Sequence, residues 1–492
     1  MPRSAAAAVK LPYTATELAA RRCLRLTSNR RGRRSRIIYS ISASIIQIGK
    51  YLTYMPSAST MKTTTERRAG RELRMMASAM TTRQGALHGV RVLDLTRFYS
   101  GPFATLMLAG FGAEVIRIDT PEQGDPAMTG PPFLGKDGVA LDRKHDSDLG
   151  LAYLKRCRDK KSITLNMRTA EGMELFHALL RKSDILVENL RPGAAERLGI
   201  DYEANRQINP SIVHCALTGY GSTGADRRLK AYDLMIQAAA GLMSITGAPD
   251  GGPSKAGTAL ADGITGAFAV SGILAALTEQ RISGRGQFVD VAMADCLLSL
   301  VLDEPLDCYP QMGMAPRQGN RIMRFSPFNT YATRDGAIAL GAATNEDWLA
   351  LLGVMDRLDL AADAKFMNTG WRVANNAVID AVVTEWTLGR TTAEAIEALN
   401  RGDVAASPIR DIDDILAWEH LGARDMLLAV EHPTEPLEQR VIGAGFPIKM
   451  GRTHKGYTAP APTLGQNNQE IYGGLLGLSG ERIDDLKSRR II

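Results

Sequence analysis

A chain of 492 residues, 45% hydrophobic and 23% charged, has room for a large core and more than one domain, and it contains no unbroken apolar run long enough to span a bilayer. The net charge of +6 conceals an asymmetry: residues 1–85 hold 17 Lys and Arg against Glu17, Glu66 and Glu72, so the remaining 407 residues sum to −8. An acidic body argues against nucleic-acid binding, and five scattered cysteines with no CxxC, together with seven histidines forming no HxxxH, argue against a disulfide framework or a zinc site.

The basic head, residues 1–84, includes "RRCLRLTSNRRGRRSR" and has very few acids. Its composition suits an organelle transit peptide, which would place the protein in mitochondria. The simpler reading is a start site upstream of true initiation near Met75, Met76 or Met80, which leaves a cytoplasmic protein. Either way the head is expected to be mostly disordered.

Regular structure is expected from His88 onward. "GVRVLDLT" reads as a strand, "PFATLMLAGFG" as a helix running from Pro102 to Gly112, and "AEVIRID" as a second strand. The alternation continues through the strands "SITLNM", "DILVEN" and "PSIVHCAL", with "AEGMELFHALLRKS" as a helix. The fold class is therefore α/β, a doubly wound parallel sheet of Rossmann-like outline. The large domain covers 86–290. A smaller α+β domain is expected over 310–405, with a hairpin about Arg334–Gly336, and 410–492 is expected to return to the large domain.

Some apparent signals do not carry chemistry. "GPPFLGKD" has GxxxxGK spacing, but Asp137 stands where Ser or Thr would hold magnesium, and Pro131 and Pro132 remove two N–H donors. "DLTRFYSGPFA" lacks GxGxxG, and there is no GxSxG elbow. The stretch "KAGTALADGITGAFA" raises a sharper question. Asp262 is its one acid, among residues too small to explain it, with no cation within six positions. A helix cap is the structural reading of such an Asp.

The segments "VLDLTRFYSGPFATLMLAGFGAEVIRID", "KKSITLNM", "VENLRPGAAERLGI", "NPSIVHCALTGYG", "AYDLMIQAAAGLMSITG", "GTALADGITGAFA" and "TGAPDGGP" resemble the class III coenzyme A transferases, the formyl-CoA transferase type, across about residues 88–492. The resemblance implies transfer of CoA from an acyl-CoA to a carboxylic acid, with Asp262 as the nucleophile. It implies a CoA thioester as substrate with no permanently bound cofactor, no metal, and neither a membrane nor a nucleic acid as partner. The carboxylate attacks the thioester to give a mixed anhydride, the returning thiolate gives an aspartyl-CoA thioester, and an acceptor acid reverses the sequence. A carboxylate needs no base at neutral pH, and small neighbours admit the thioester. Gly263 is the expected backbone oxyanion donor.

By motif position the resemblance also implies CoA contacts at Met167, Arg168, Asn189, Arg197 and Lys230. Tyr99 stands where formyl-CoA transferase has a catalytic glutamine, and that enzyme's glycine-rich covering loop has no counterpart. "QGNRIMRFSPFNTYATRDG" is closer to the branch that moves CoA between dicarboxylates, with succinyl-CoA a common donor, and Arg321 or Arg324 is a candidate for the distal carboxylate. Family members form interlocked homodimers, which would place linkers near 280–310 and 405–425. The alternatives are an α-methylacyl-CoA racemase of the same fold, disfavoured because Tyr232-Asp233 replaces its His-Asp pair, and a catalytically silent CoA-binding protein.

Overall fold

The computed structural model describes residues 85–492 apart from 438 and 454, and the basic head expected over 1–84 lies outside them. The first βαβ unit is β1 (Arg91–Asp94), α1 (Ser100–Gly110) and β2 (Glu114–Asp119). After a short antiparallel hairpin, β3 (Phe133–Gly135) with β4 (Gly138–Ala140), come β5 (Leu149–Gly150), α2 (Leu151–Arg156) and β6 (Lys160–Thr164). The GxxxxGK pattern falls in that hairpin, where Lys136 and Asp137 form the turn and Asp137 pairs with His145, so it is no phosphate cradle.

The chain continues through α3 (Ala170–Leu180), β7 (Ile185–Glu188), α4 (Ala194–Leu198), α5 (Tyr202–Ile208), β8 (Val213–Thr218), α6 (Asp233–Ala239), α7 (Leu242–Ile245), α8 (Leu260–Ser283), β9 (Phe288–Ala292) and α9 (Met293–Val301). Six parallel strands form one sheet in the order β6-β2-β1-β7-β8-β9. Strands such as "ILVE" are buried along their whole length, as expected when helices cover both faces of a parallel sheet. From β1 the chain winds first toward β6 and then, from β7, the other way. The direction therefore reverses between β1 and β7, the place where such sheets open a ligand crevice.

Helix α1 is apolar on nearly every side and lies in the core. Helix α8 is long and apolar enough to cross a membrane, yet its Ala269, Val270, Ile273 and Leu277 pack against Val213, Cys215 and Leu217 of β8. The two helices approach closely at Gly266, where an added Cβ would sit 2.8 Å from the Ser100 carbonyl oxygen and 2.8 Å from the Phe103 ring.

A second sheet, β10 (Phe328–Ala332), β11 (Ala337–Gly341) and β12 (Ala405–Pro408), is antiparallel throughout. The expected hairpin at 334–336 joins its first two strands. Helices α10 (Asn345–Met355), α11 (Asn376–Leu388) and α12 (Thr392–Arg401) cover it around a separate core of Trp348, Leu352, Ile379, Val383 and Leu399. Past β13 (Leu427–Ala429) and β14 (Ile442–Ala444), the chain returns to the large sheet through a π-helical turn (Gln469–Leu475) and α13 (Gly480–Ser488). There it runs beside β6, the edge strand. The Asn467 and Asn468 side chains accept the backbone N–H groups of Ser162 and Thr164, and the Tyr472 hydroxyl donates to the Thr164 carbonyl.

Candidate active site

The loop between β1 and α1 carries Phe98, Tyr99 and Ser100 across the switch point, and buried polar groups fix it from below. Asp94 accepts from the Thr96 N–H at 2.9 Å and the Thr105 hydroxyl at 2.7 Å, and pairs with Lys160 at 3.0 Å. Burial would raise the Asp94 pKa, but the charges of Lys160 and Arg117 together with the hydrogen bonds from Thr96 and Thr105 outweigh it and hold the carboxyl below its usual value. Arg117, fully buried, bridges Asp119 at 2.7 Å and Asp125 at 2.9 Å, and Asp125 in turn accepts the Phe98 N–H at 3.2 Å. Phe98 sits at φ 67°, a left-handed conformation that a non-glycine residue keeps only where its surroundings hold it.

From the β7 side, the Asn189 amide closes on the same loop. Its Oδ1 accepts the Arg97 N–H and its Nδ2 donates to the Arg97 carbonyl, both at 2.8 Å. The side chain expected to meet CoA is thus committed to holding the backbone before Tyr99.

Asp262 lies in the first turn of α8, half-buried. It is not the helix cap: position 259 is alanine, and the cap is supplied by Asp233, the first residue of α6. One Asp233 oxygen accepts the N–H of Ala261 at 2.9 Å and of Asp262 at 3.3 Å, and the other accepts from Gln237 Nε2 at 2.7 Å. Burial first, and repulsion by Asp233 second, push the Asp262 pKa up to about 6, while Ser100, through its hydroxyl and its backbone N–H, and Arg156 favour the ionised form. At pH 7 the carboxylate still outnumbers the acid by about ten to one.

The expectation for Gly263 is corrected. Its N–H donates to the Ala259 carbonyl at 3.1 Å inside the helix and is not free for an oxyanion. What the glycine allows is closeness: a Cβ there would lie 3.6 Å from the Tyr99 hydroxyl. The donors that do face Asp262 belong to Ser100, the first residue of α1, whose N–H needs no partner within its own helix. The Tyr99 ring stacks on Phe103 with centroids 5.8 Å apart. Burial raises the hydroxyl's pKa and the carboxylates of Asp262 and Asp233 add to it, so at neutral pH it is a hydrogen-bond donor.

Arg156, at the end of α2, stands over the other region of the Tyr99 ring, its guanidinium carbon 4.0 Å from the centroid. Its Nη1 donates to the Phe98 carbonyl at 2.9 Å. No cation near Asp262 was visible in the local sequence, because this one arrives from the distant run "KRCRDKK". Ser100, Arg156 and the capping role of Asp233 escape sequence reasoning. The crowded charges of that run mark it as unusual but do not say which of its cations reaches Asp262.

The remaining expected CoA contacts follow the carboxyl ends of β6, β7 and β8. Met167 is partly buried against the core. Arg168 and Arg197 are exposed, and Lys230 is exposed with its Nζ 5.1 Å from the Tyr232 ring centroid. Beside them a cleft of about 460 Å³ is lined by Glu188, Arg191, Arg227, Arg228 and Phe288, among others. Arg321 and Arg324 are already paired, with Asp380 and Glu304, at 2.8 Å and 2.7 Å. That removes them as unpaired cations within the chain. Among the described residues no cluster of three or more His, Cys, Asp or Glu side chains could hold a metal ion.

A doubly wound parallel sheet with a half-buried carboxylate at a helix start beside its switch point defines an α/β protein with a candidate reactive acid where such sheets open a crevice. The chain matches the family profile of CoA-transferase family III over residues 87–468, and it belongs to that family. It is 33% identical to the succinate–glutarate CoA-transferase of Agrobacterium fabrum, over 80% of this chain and 97% of the relative. It is 35% identical to the succinyl-CoA:mesaconate CoA-transferase of Haloarcula marismortui, over 79% of this chain and 96% of the relative. Among solved structures, a CAIB/BAIF family protein from Brucella suis superposes with a TM-score of 0.67 at 30% identity, covering 80% of this chain and all of that one. The protein is an enzyme of the transferase class, acting on coenzyme A thioesters and carboxylic acids.

Proposed function

We propose that the protein moves coenzyme A from a dicarboxylic acyl-CoA, of which succinyl-CoA is the leading candidate, to a second carboxylic acid, with Asp262 as the nucleophile. The observation that carries this reading is a half-buried carboxylate in the first turn of α8, one residue from the glycine that lets the Tyr99 hydroxyl come close, with Ser100 favouring its ionised form.

An Asp262 oxygen attacks the thioester carbonyl carbon, the C–S bond breaks, and CoA leaves as thiolate from a mixed anhydride. The thiolate then attacks Asp262 Cγ and expels the donor acid as its carboxylate, leaving an aspartyl-CoA thioester. The acceptor carboxylate attacks the same carbon, CoA leaves again, and its attack on the acceptor's acyl carbon frees Asp262. No proton is transferred in any of these steps, so none of them calls for a histidine. The Ser100 donors and the neutral Tyr99 hydroxyl stabilise the oxyanions that form at each addition. The small residues before Asp262 let the thioester approach.

CoA lies along the carboxyl edge of the sheet, where Arg168, Arg197 and Lys230 remain exposed to meet its phosphates. The names of the relatives, which pair succinyl-CoA with glutarate or mesaconate, support short dicarboxylates as the substrate class. Exposed apolar side chains on α6, α8 and α9, among them Leu234, Met235, Phe268, Leu298 and Leu300, support a homodimer.

Incubation with succinyl-CoA followed by hydroxylamine, with peptide mass spectrometry, tests the reading. The expected product is a hydroxamate at Asp262. An unmodified Asp262 in protein that binds the thioester would leave only a CoA-binding protein.

A further inference from the structure

The geometry points to Arg156 as the residue that selects dicarboxylates, its guanidinium receiving the carboxylate of the substrate that does not react. This rests on the transferase reading above and adds to it the origin of substrate choice.

Arg156 is half-buried and held in place from two directions. Its face rests on the Tyr99 ring, and Nη1 is occupied by the Phe98 carbonyl. That leaves Nε and Nη2, which form the side-on fork of a guanidinium, with no hydrogen-bond partner among the described residues. A fork of this shape matches a carboxylate through two parallel hydrogen bonds.

The charge is also uncompensated. Arg156 and Asp262 feel each other electrostatically, yet they form no ion pair, and no other described carboxylate pairs with Arg156. Arg117 and Lys160, buried more deeply than Arg156, each have carboxylate partners. A half-buried cation without a counter-ion is costly, and a dianionic substrate arriving between two carboxylates, Asp262 and Asp233, needs a cation. One group meets both needs. Arg156 touches the loop before Ser100 without pairing with Asp262, so a short diacid with one carboxyl carbon at Asp262 would set its other carboxylate on the fork. Arg321 and Arg324 are neutralised by Asp380 and Glu304 and do not compete for this role within the chain.

The test compares glutarate with pentanoate, acids of equal length that differ by one carboxylate, as acceptors at saturating succinyl-CoA. In Arg156→Gln the ratio of kcat/KM for glutarate to that for pentanoate is expected to fall at least about tenfold, the loss of a charge-assisted contact. Arg156→Lys keeps the charge without the fork and is expected to give an intermediate ratio, so it decides the matter should the glutamine variant not fold. An unchanged ratio in a folded variant overturns the proposal, whatever happens to the absolute rates. Calorimetric titration of the resting protein with the two acids needs no turnover. Preferential glutarate binding that disappears in Arg156→Gln supports the assignment on its own, and equal binding of both acids by the wild type overturns it. Absence of transfer by the wild type to any acid would instead count against the transferase reading.

Discussion

Asp233 accepts the backbone N–H of Asp262, so one carboxylate caps the helix from which the other projects. The pairing ties structure to reactivity. The cap satisfies the start of α8, and the same negative charge raises the pKa of Asp262. Asp233→Asn keeps an acceptor oxygen and removes the charge. Asp262 should then ionise at lower pH, and the acid limb of the pH profile of kcat/KM should move down from about 6, the value it is expected to show in the wild type. Asp233→Ala loses the acceptor as well and should cost about 1 kcal/mol in denaturant unfolding.

Asp262→Asn should abolish transfer and yet stabilise the protein. The carboxyl's folded pKa, about 6, lies above its ordinary 3.8, so what it contributes to stability is fully present below 3.8 and is lost as pH rises through 6. At pH 7 the wild type therefore carries a penalty of up to about 3 kcal/mol, lessened by the side chain's partial exposure, that asparagine avoids. Melting temperatures measured across pH should show the variant ahead at pH 7 to 8 and the gap closing toward about pH 4.

Asn189→Ala separates a positioning role from a CoA contact. Removing the amide leaves the Arg97 N–H and carbonyl without their partner, at a cost of about 1–3 kcal/mol. Urea unfolding should register that loss, and kcat should fall as Tyr99 and Ser100 lose their support. A residue that only touched CoA would alter KM and leave unfolding unmoved.

Gly266→Ala probes the spacing of the two helices. The new methyl would lie 2.8 Å from the Ser100 carbonyl, a contact that backbone must relieve by moving. The expected result is a loss of about 1–3 kcal/mol in stability. Because the shift parts Ser100 from Asp262, kcat for CoA transfer should drop at least tenfold, about 1.4 kcal/mol of barrier.

Much of this arrangement can be read along the chain. The strands β1, β2, β6, β7 and β8 announce themselves as short β-branched runs, and helices between them imply parallel pairing. The hairpin between β10 and β11 follows from "TRDG" between alternating strands. Asp262 stands out because nothing near it in sequence accounts for a charge. What surrounds it in space cannot be read this way. Arg156 reaches it from the end of α2, Ser100 from the start of α1, and Asp233 from α6, and no local pattern encodes those meetings. Gly263 shows the opposite error: small size suggested a free N–H, but the helix beginning just before it had already taken that donor. The pairing of Arg321 and Arg324 was equally hidden, since their partners Asp380 and Glu304 are distant in sequence.

The return of the final residues to β6 has a consequence for solution behaviour. An edge strand of a sheet offers unpaired amides and carbonyls to any other extended chain. Here Asn467, Asn468 and Tyr472 occupy those groups on Ser162 and Thr164. The tail therefore acts as a chaperone in cis for the sheet's border, and exchanging Asn467 and Asn468 for alanine should make the protein clump through that border while the apolar packing of Ile471, Ile483 and Leu486 stays in place.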